Sequence, residues 1–328
     1  MNPSRLCLNE IIKNWSYLLL VALLLFVYSN CKSQTVNLKD LNYSVADSTA
    51  IHFPKKKYKN VSEIALPLTE KLKSDAEKFR AIFRWITENI EYNKSASGSA
   101  EAEKVVRKNK AVCQGFSNLL KEMCDAVLIP CEVITGFTKT DYKDIDKKLK
   151  KSDHAWNSVE LGGKKYLVDV TWATSKYNVV ARKFVKEFDE HYYLTPPEKF
   201  ILDHYPEKKE QQLLEKTCSQ KKFIRSPLLY PDYFHLSIEH LTPNDGKFKW
   251  KKNKSLRFEF LTDTKIESIS TLSNYDTYVC PAEIKTEETA SRPQKKYVFE
   301  KVFEKPGKHI FTMYANGNCI AEYFIEVK

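Results

Sequence analysis

Ala111-Val112-Cys113-Gln114-Gly115-Phe116-Ser117 decides the fold of this chain, because it leads directly into an amphipathic helix. The apolar residues of that helix are spaced three and four apart, as on one helix face; they are Phe116, Leu119, Leu120, Met123 and Cys124. Cys113 is therefore predicted at the first turn, where unpaired backbone N–H groups and the helix dipole favour the thiolate. The stretch predicts a reactive cysteine at the start of a core-packed helix.

A β-hairpin is predicted further along the chain. Two runs with strand-like composition, 154–161 and 164–172, are separated by Gly162-Gly163. Glycine accepts the positive φ angles that tight hairpin turns require. Centring the turn on the two glycines pairs Leu161 with Lys164, and this pair sets the register of both strands.

His154 and Asp169 fall on the same face of this hairpin. The register opposes His154 to Thr171 and Trp156 to Asp169, and side chains alternate between the two faces of a strand. Asp169 is then diagonal to His154 and can hold the imidazole in one tautomer. A register shift of one residue would move the two side chains to opposite faces.

Cysteine at a helix start, followed by histidine and aspartate on adjoining strands, is the order typical of a papain-like nucleophilic site. The chain also resembles the transglutaminase-like superfamily, and more closely its bacterial and kyphoscoliosis-peptidase-like members. The motifs that carry the resemblance are Val112-Cys113-Gln114-Gly115-Phe116-Ser117, Leu128-Ile129-Pro130-Cys131, Asp153-His154-Ala155-Trp156-Asn157 and Val168-Asp169-Val170-Thr171-Trp172. The resemblance implies that Cys113 is the nucleophile, His154 the general base and acid, and Asp169 the residue that orients it.

An earlier helix is predicted to pack beside the one that carries Cys113. It starts at the capping box Ser74-Asp75-Ala76-Glu77, and its apolar face consists of Phe79, Ile82, Phe83, Ile86 and Ile90. We expect Trp85 and Tyr92 near the site. Tyr92 could donate to a developing oxyanion together with the Cys113 N–H. The alternative for both aromatic residues is packing against the core, which is favoured for Trp85.

Helices precede antiparallel strands here, which is the α+β order. The predicted fold is a papain/transglutaminase-like core, with the Cys113 helix packed on an antiparallel sheet that includes residues 131–137. Beyond about Leu241 the pattern becomes purely β, and Asn316-Gly317 is typical of a hairpin turn. Short strands over residues 241–328 favour a small immunoglobulin-like sandwich.

The N-terminus predicts export. Arg5 and Lys13 precede the apolar run 15–28, which is shorter than the roughly 20 residues of a membrane span and typical of a secretory signal peptide. A retained anchor is one alternative, and acylation of Cys31 in a bacterial lipoprotein of the cell envelope is another. The predicted divisions are a signal peptide at 1–33, an extended lead-in at 34–60, a catalytic domain with a C-terminal wrap at 61–240 and the sandwich at 241–328.

Charge and cysteine spacing exclude several classes of partner. The net charge is +11, but the lysines are scattered. Nucleic-acid binding needs a concentrated basic face, so no such partner is expected. No Cys-x2-Cys pair occurs, and His191 and His204 lack partners at ligand spacing, so we predict no metal or cofactor and expect both histidines to be packed or exposed. Cys124 and Cys131 are expected to be buried free thiols rather than a disulfide.

Two functions are compatible with these residues. The first is a thiol enzyme that acts on amide bonds of peptides or proteins through an acyl-enzyme, with hydrolysis favoured over crosslinking. The second is a non-catalytic member of the same fold that serves as a binding or scaffold protein at the cell surface. A serine hydrolase and phosphoryl transfer are disfavoured, because neither Gly-x-Ser-x-Gly nor a Walker loop occurs. The sequence leaves the substrate and the oligomeric state open.

Overall fold

The computed structural model describes residues 38–93, 100–178, 183–288 and 294–328. Two compact units are present, residues 1–42 and residues 43–328. The first unit contributes a short 3-10 turn, Leu38–Asp40, and the predicted signal peptide at 1–33 lies outside the described residues. Every helix in the described ranges is too short or too polar to cross a membrane.

The second unit contains short helices and sheets whose strands are mostly antiparallel; the pairs Glu91–Tyr92 with Lys110–Ala111 and Lys247–Trp250 with Asn318–Val327 are parallel. The α-helices of its described residues are α1 (Ser44–Ile51), α2 (Ser62–Thr69), α3 (Asp75–Asn89), α4 (Ala102–Lys108), α5 (Cys113–Ala126), α6 (Pro197–Phe200), α7 (Gln220–Arg225) and α8 (Pro231–His235). The strands up to the C-terminal sheets are β1 (Glu91–Tyr92), β2 (Lys110–Ala111), β3 (Cys131–Thr138), β4 (His154–Leu161), β5 (Lys164–Val168), β6 (Ser175–Asn178), β7 (Lys183–Lys186), β8 (His204–Pro206) and β9 (Leu228–Leu229). Further 3-10 turns lie at Tyr142–Asp144, Glu190–Tyr192 and Lys209–Gln212.

Helix α3 has the predicted start and the predicted buried face. The Ser74 hydroxyl accepts a hydrogen bond from the Glu77 N–H, and the Glu77 carboxylate accepts one from the Ser74 N–H at 2.9 Å, which completes the capping box. The side chains of its apolar face are fully buried; they are Phe79, Ile82, Phe83 and Ile86. Helix α3 packs against α5, as expected from the sequence.

Helix α5 lies on a four-stranded antiparallel sheet with the order β5-β4-β3-β8. Its apolar face is fully buried through Phe116, Leu119, Leu120 and Met123. The helix and this sheet together form the predicted α+β core.

The β4–β5 hairpin has the predicted register. Leu161 pairs with Lys164, and the ladder continues to the pair Asn157 and Val168. Gly162 and Gly163 both have positive φ, as the tight turn requires. The ladder ends at Val168, so Asp169 lies in a turn rather than in a strand.

The prediction of an extended lead-in at 34–60 is wrong, because residues 44–51 form α1. Ala46 and Ala50 are buried, and α1 packs against α3. Asp47 of α1 forms an ion pair with Arg80 of α3 at 2.6 Å. Helix α1 looks polar in sequence because its two buried residues are small alanines.

The C-terminal part consists of two sheets that share one core. Its strands are β10 (Glu239–Thr242), β11 (Lys247–Trp250), β12 (Ser255–Thr262), β13 (Ile269–Ser273), β14 (Cys280–Ala282), β15 (Lys285–Glu288), β16 (Lys295–Val302), β17 (Gly307–Ala315) and β18 (Asn318–Val327). One sheet has the order β10-β12-β16-β15 and the other β11-β18-β17-β13-β14, with β9 added on β18. Phe258 of the first sheet packs on Phe311 of the second, with ring centroids 5.0 Å apart. Asn316 and Gly317 both have positive φ at the predicted hairpin turn.

Candidate active site

Cys113 is the first residue of α5. The preceding residue, Val112, is extended and caps the helix, so the thiol lies where the first-turn N–H groups are unpaired. The side chain is half-buried, and the nearby Ala155 N–H of strand β4 favours its thiolate. The position predicted for a reactive thiol is the position observed.

His154 begins strand β4 and links the thiol to a carboxylate. Its Nε2 lies 2.5 Å from Asp169 Oδ2, and its ring lies close enough to the Cys113 sulfur for each group to favour the charged form of the other. Because Nε2 faces Asp169, Nδ1 is the nitrogen left to face the sulfur. The structure thus brings together the three residues that the sequence singled out.

Asp169 is held by the turn that follows β5. Its Oδ1 accepts hydrogen bonds from the N–H groups of Thr171 and Trp172, at 2.8 and 3.0 Å. The side chain is fully buried. These two bonds fix the carboxylate so that Oδ2 points towards the imidazole of His154.

The three groups favour one another's charged forms. Burial alone would lower the pKa of His154, but the Asp169 carboxylate and the Cys113 sulfur outweigh it and raise that pKa to about 10. Burial alone would raise the pKa of Cys113, but the hydrogen bond and charge of His154 lower it below its ordinary value. Burial likewise opposes ionisation of Asp169, yet the two histidines that contact it hold its pKa well below the usual range. Charge on His154 therefore favours the Cys113 thiolate, and the thiolate in turn favours the imidazolium.

His204 is a residue of this site that the sequence did not predict. We expected packing or exposure there, whereas the residue is fully buried and its Nε2 lies 3.0 Å from Asp169 Oδ2. Strand β3 separates the two histidines, since Gly136 pairs with His154 on one side and Thr138 pairs with His204 on the other. The sequence around His204 carries no local pattern that assigns a role to this imidazole.

The ligand-type atoms of His154, Asp169 and His204 all lie within 4.8 Å of one another. Two imidazoles and a carboxylate are a common donor set for a metal ion. In this structure, however, the same atoms hydrogen-bond to one another at 2.5 and 3.0 Å. These bonds account for the convergence, so we assign no metal ligands here.

Aromatic rings enclose the buried side of the site. The Trp172 ring lies 5.4 Å from the His154 ring and 4.5 Å from the His204 ring, and Trp156 lies 5.1 Å from His204. Gly136 makes room for Trp156, because a Cβ there would lie 2.4 Å from its ring. The hydrogen bonds of this site therefore lie in a low-dielectric environment.

Tyr92 lies close enough to Cys113 to respond to its charge. Strand β1 pairs with β2 so that Tyr92 is opposite Ala111, two residues before the thiol. Burial raises the pKa of Tyr92, and so does the nearby Cys113 thiolate. Trp85 is buried and packs edge-on against Tyr58, as the core-packing alternative predicted.

Residues 62–172 match the family model of the transglutaminase-like superfamily. Residues 62–172 therefore form a domain of the transglutaminase-like superfamily. It is 31% identical to the kyphoscoliosis peptidase of Homo sapiens and 29% identical to that of Mus musculus, in each case over 201 residues, or 60% of this chain. A solved structure of a candidate cysteine protease from Cytophaga hutchinsonii is 25% identical and covers 47% of this chain and 49% of that one, with a TM-score of 0.29. This transglutaminase-like chain spans 30% of the length of the two peptidases.

Proposed function

We propose that the protein is an exported, thiol-dependent acyl-transfer enzyme that acts on amide bonds of peptides or proteins. The observation that carries this proposal is the imidazole of His154, which lies 2.5 Å from the Asp169 carboxylate and close enough to the Cys113 sulfur to favour its thiolate. A nucleophile, a base and a group that orients the base are the three parts of such a site.

Acylation begins with the Cys113 thiolate. Its sulfur attacks the carbonyl carbon, the C–S bond forms, and the carbonyl electron pair moves to oxygen. The tetrahedral intermediate collapses when the C–N bond breaks, and the leaving nitrogen takes a proton from the His154 imidazolium. The products are a free amine and a thioester on Cys113.

Deacylation restores the site. A water molecule gives a proton to neutral His154 while its oxygen attacks the thioester carbonyl. Collapse of this second intermediate breaks the C–S bond and releases the carboxylic acid, and the thiolate–imidazolium pair is restored. Asp169 stabilises the imidazolium in both half-reactions.

Oxyanion stabilisation is assigned to two donors. The Cys113 N–H belongs to the first turn of α5, and the Tyr92 hydroxyl lies near the sulfur. Both would face the carbonyl oxygen of an acyl group on Cys113.

Hydrolysis is favoured over crosslinking. The curated relatives reported above are named peptidases, and crosslinking needs a site that admits a second macromolecule while it excludes water. Export is proposed from the basic start and the apolar run at 15–28. For the two C-terminal sheets we propose an immunoglobulin-like arrangement that serves as a binding or covering module.

A peptide library tests this function. The full chain is incubated with peptides of mixed sequence, with Cys113→Ala as the matched control, and mass spectrometry measures both new amino termini and side-chain amides converted to carboxylates. Cleavage or deamidation that depends on Cys113 is expected. If wild type and Cys113→Ala give the same products, the enzyme assignment fails and the binding or scaffold alternative takes its place.

A further inference from the structure

His204 is a buried titratable residue that the proposed mechanism does not use. It lies on strand β8 and is fully buried. Its Nε2 donates to Asp169 Oδ2 at 3.0 Å, the same oxygen that accepts from His154. One carboxylate oxygen is therefore the hydrogen-bond partner of two imidazoles.

The second nitrogen of His204 also faces a carboxylate. Nδ1 lies 2.5 Å from Asp203 Oδ1, and Asp203 Oδ2 accepts a hydrogen bond from the Tyr192 hydroxyl at 3.2 Å. An ionised carboxylate can only accept, so a carboxylate on each side of the ring favours a proton on both ring nitrogens. Burial lowers the pKa of His204, but Asp203 and Asp169 outweigh it and raise that pKa above its ordinary value.

The site is thus a chain of alternating charges. The order is the Cys113 thiolate, the His154 imidazolium, the Asp169 carboxylate, the His204 imidazolium and the Asp203 carboxylate. The rings of His154 and His204 are 5.5 Å apart, so each cation opposes protonation of the other.

Other titratable groups face this chain from the elements packed against it. Lys139, on the segment after β3, interacts electrostatically with Asp203. Tyr92 of β1 interacts with Cys113, and Tyr192 donates to Asp203. None of these three groups lies between His154 and His204.

We propose that His204 is a positioning residue of this site. It is held as an imidazolium between Asp203 and Asp169 and shares the Asp169 carboxylate with His154. This sharing limits how tightly the carboxylate holds the His154 proton. A general acid that holds its proton too tightly is a poor donor to the leaving amine. His204 thereby keeps His154 competent for proton transfer. This role rests on the proposed function, but the protonation state behind it can be measured without a substrate.

The first test is the pH profile of Cys113 alkylation by iodoacetamide. His204→Gln retains an amide donor near Asp169 and removes the positive charge. The upper inflection, where His154 loses its proton, is expected to move up by about one to two pH units, the order expected when a unit charge is removed nearby. Asp203→Asn should move it in the same direction, because it removes the carboxylate that holds the charge on His204.

A merely structural role for His204 would move the upper inflection of the alkylation profile in the opposite direction. If His204 only supported packing, its loss would loosen Asp169 and the inflection would fall. His309→Gln is the matched control, because His309 is also buried and hydrogen-bonded, to Ser273 and Lys305, but lies in the C-terminal sheets. It should leave the inflection unchanged. An unchanged or lowered inflection in both His204→Gln and Asp203→Asn would overturn the proposal.

The second test needs neither reactivity nor a variant of His204. Histidine-labelled full chain carrying Cys113→Ala is studied by nitrogen-15 NMR at neutral pH. His204 is expected to carry protons on both nitrogens, and a neutral His204 overturns the proposal. If wild type cleaves no peptide while the Cys113→Ala sample shows a doubly protonated His204, the enzyme assignment is refuted but the alternation of charges is retained.

Discussion

His154 Nε2 lies 2.5 Å from Asp169 Oδ2, although Asp169 stands one residue beyond the end of the β-ladder. The carboxylate is held instead by the N–H groups of Thr171 and Trp172. Two backbone donors and a fully buried position give it a single orientation. The pair therefore depends on the turn after β5 as much as on the hairpin itself.

Asp169→Asn should remove most of the reactivity of Cys113. The amide keeps the size of the side chain but loses the charge that raises the pKa of His154. Less imidazolium then stabilises the thiolate, and the alkylation rate at neutral pH is expected to fall at least about 10-fold. Asp189→Asn is the control, since Asp189 is also buried but pairs with His235. Equal rates in wild type and Asp169→Asn would show that the carboxylate does not support the thiolate.

Tyr92→Phe should lower kcat and leave KM nearly unchanged. The hydroxyl is assigned to an oxyanion that develops only in the transition state, so its loss should cost about 10- to 100-fold in kcat. Steady-state kinetics on a peptide found in the library screen measure this. Tyr166→Phe, a half-buried tyrosine on β5, should behave as wild type. A rise in KM at constant kcat would assign Tyr92 to substrate binding instead.

Lys139→Met should destabilise the fold. The Lys139 ammonium is buried and donates to the carbonyl oxygens of Phe223, Ser226 and Pro227 at 3.0 to 3.2 Å. Methionine fills the space but leaves these acceptors without this donor, at a cost of about 2–4 kcal/mol. Urea unfolding measures the loss.

The control for that experiment is Lys143→Met, which removes an exposed lysine from the same part of the chain. It should change the free energy of unfolding by less than about 0.5 kcal/mol. Equal stabilities for the two variants would mean that the Lys139 contacts contribute nothing.

Local patterns in the sequence predicted the local parts of this site. The spacing after Cys113 predicted α5, and Gly162-Gly163 predicted the register of β4 and β5, because helix faces and hairpin turns are set by neighbouring residues. His204 could not be found in this way. Its approach to Asp169 depends on the pairing of β3 with β8, which joins residues far apart in the chain. Helix α1 was missed for a related reason, since its burial depends on α3 and not on its own composition.

The reactivity of Cys113 tests the central claim most directly. Iodoacetamide is added at neutral pH to wild type and to His154→Ala, and the labelling rates of Cys113 and Cys218 are compared by mass spectrometry. Cys218 is the internal reference, because it is also half-buried but burial raises its pKa. We predict that Cys113 reacts much faster than Cys218 in wild type and that His154→Ala removes the difference. Equal rates at the two cysteines, with no effect of His154→Ala, would contradict a nucleophilic site at the start of α5.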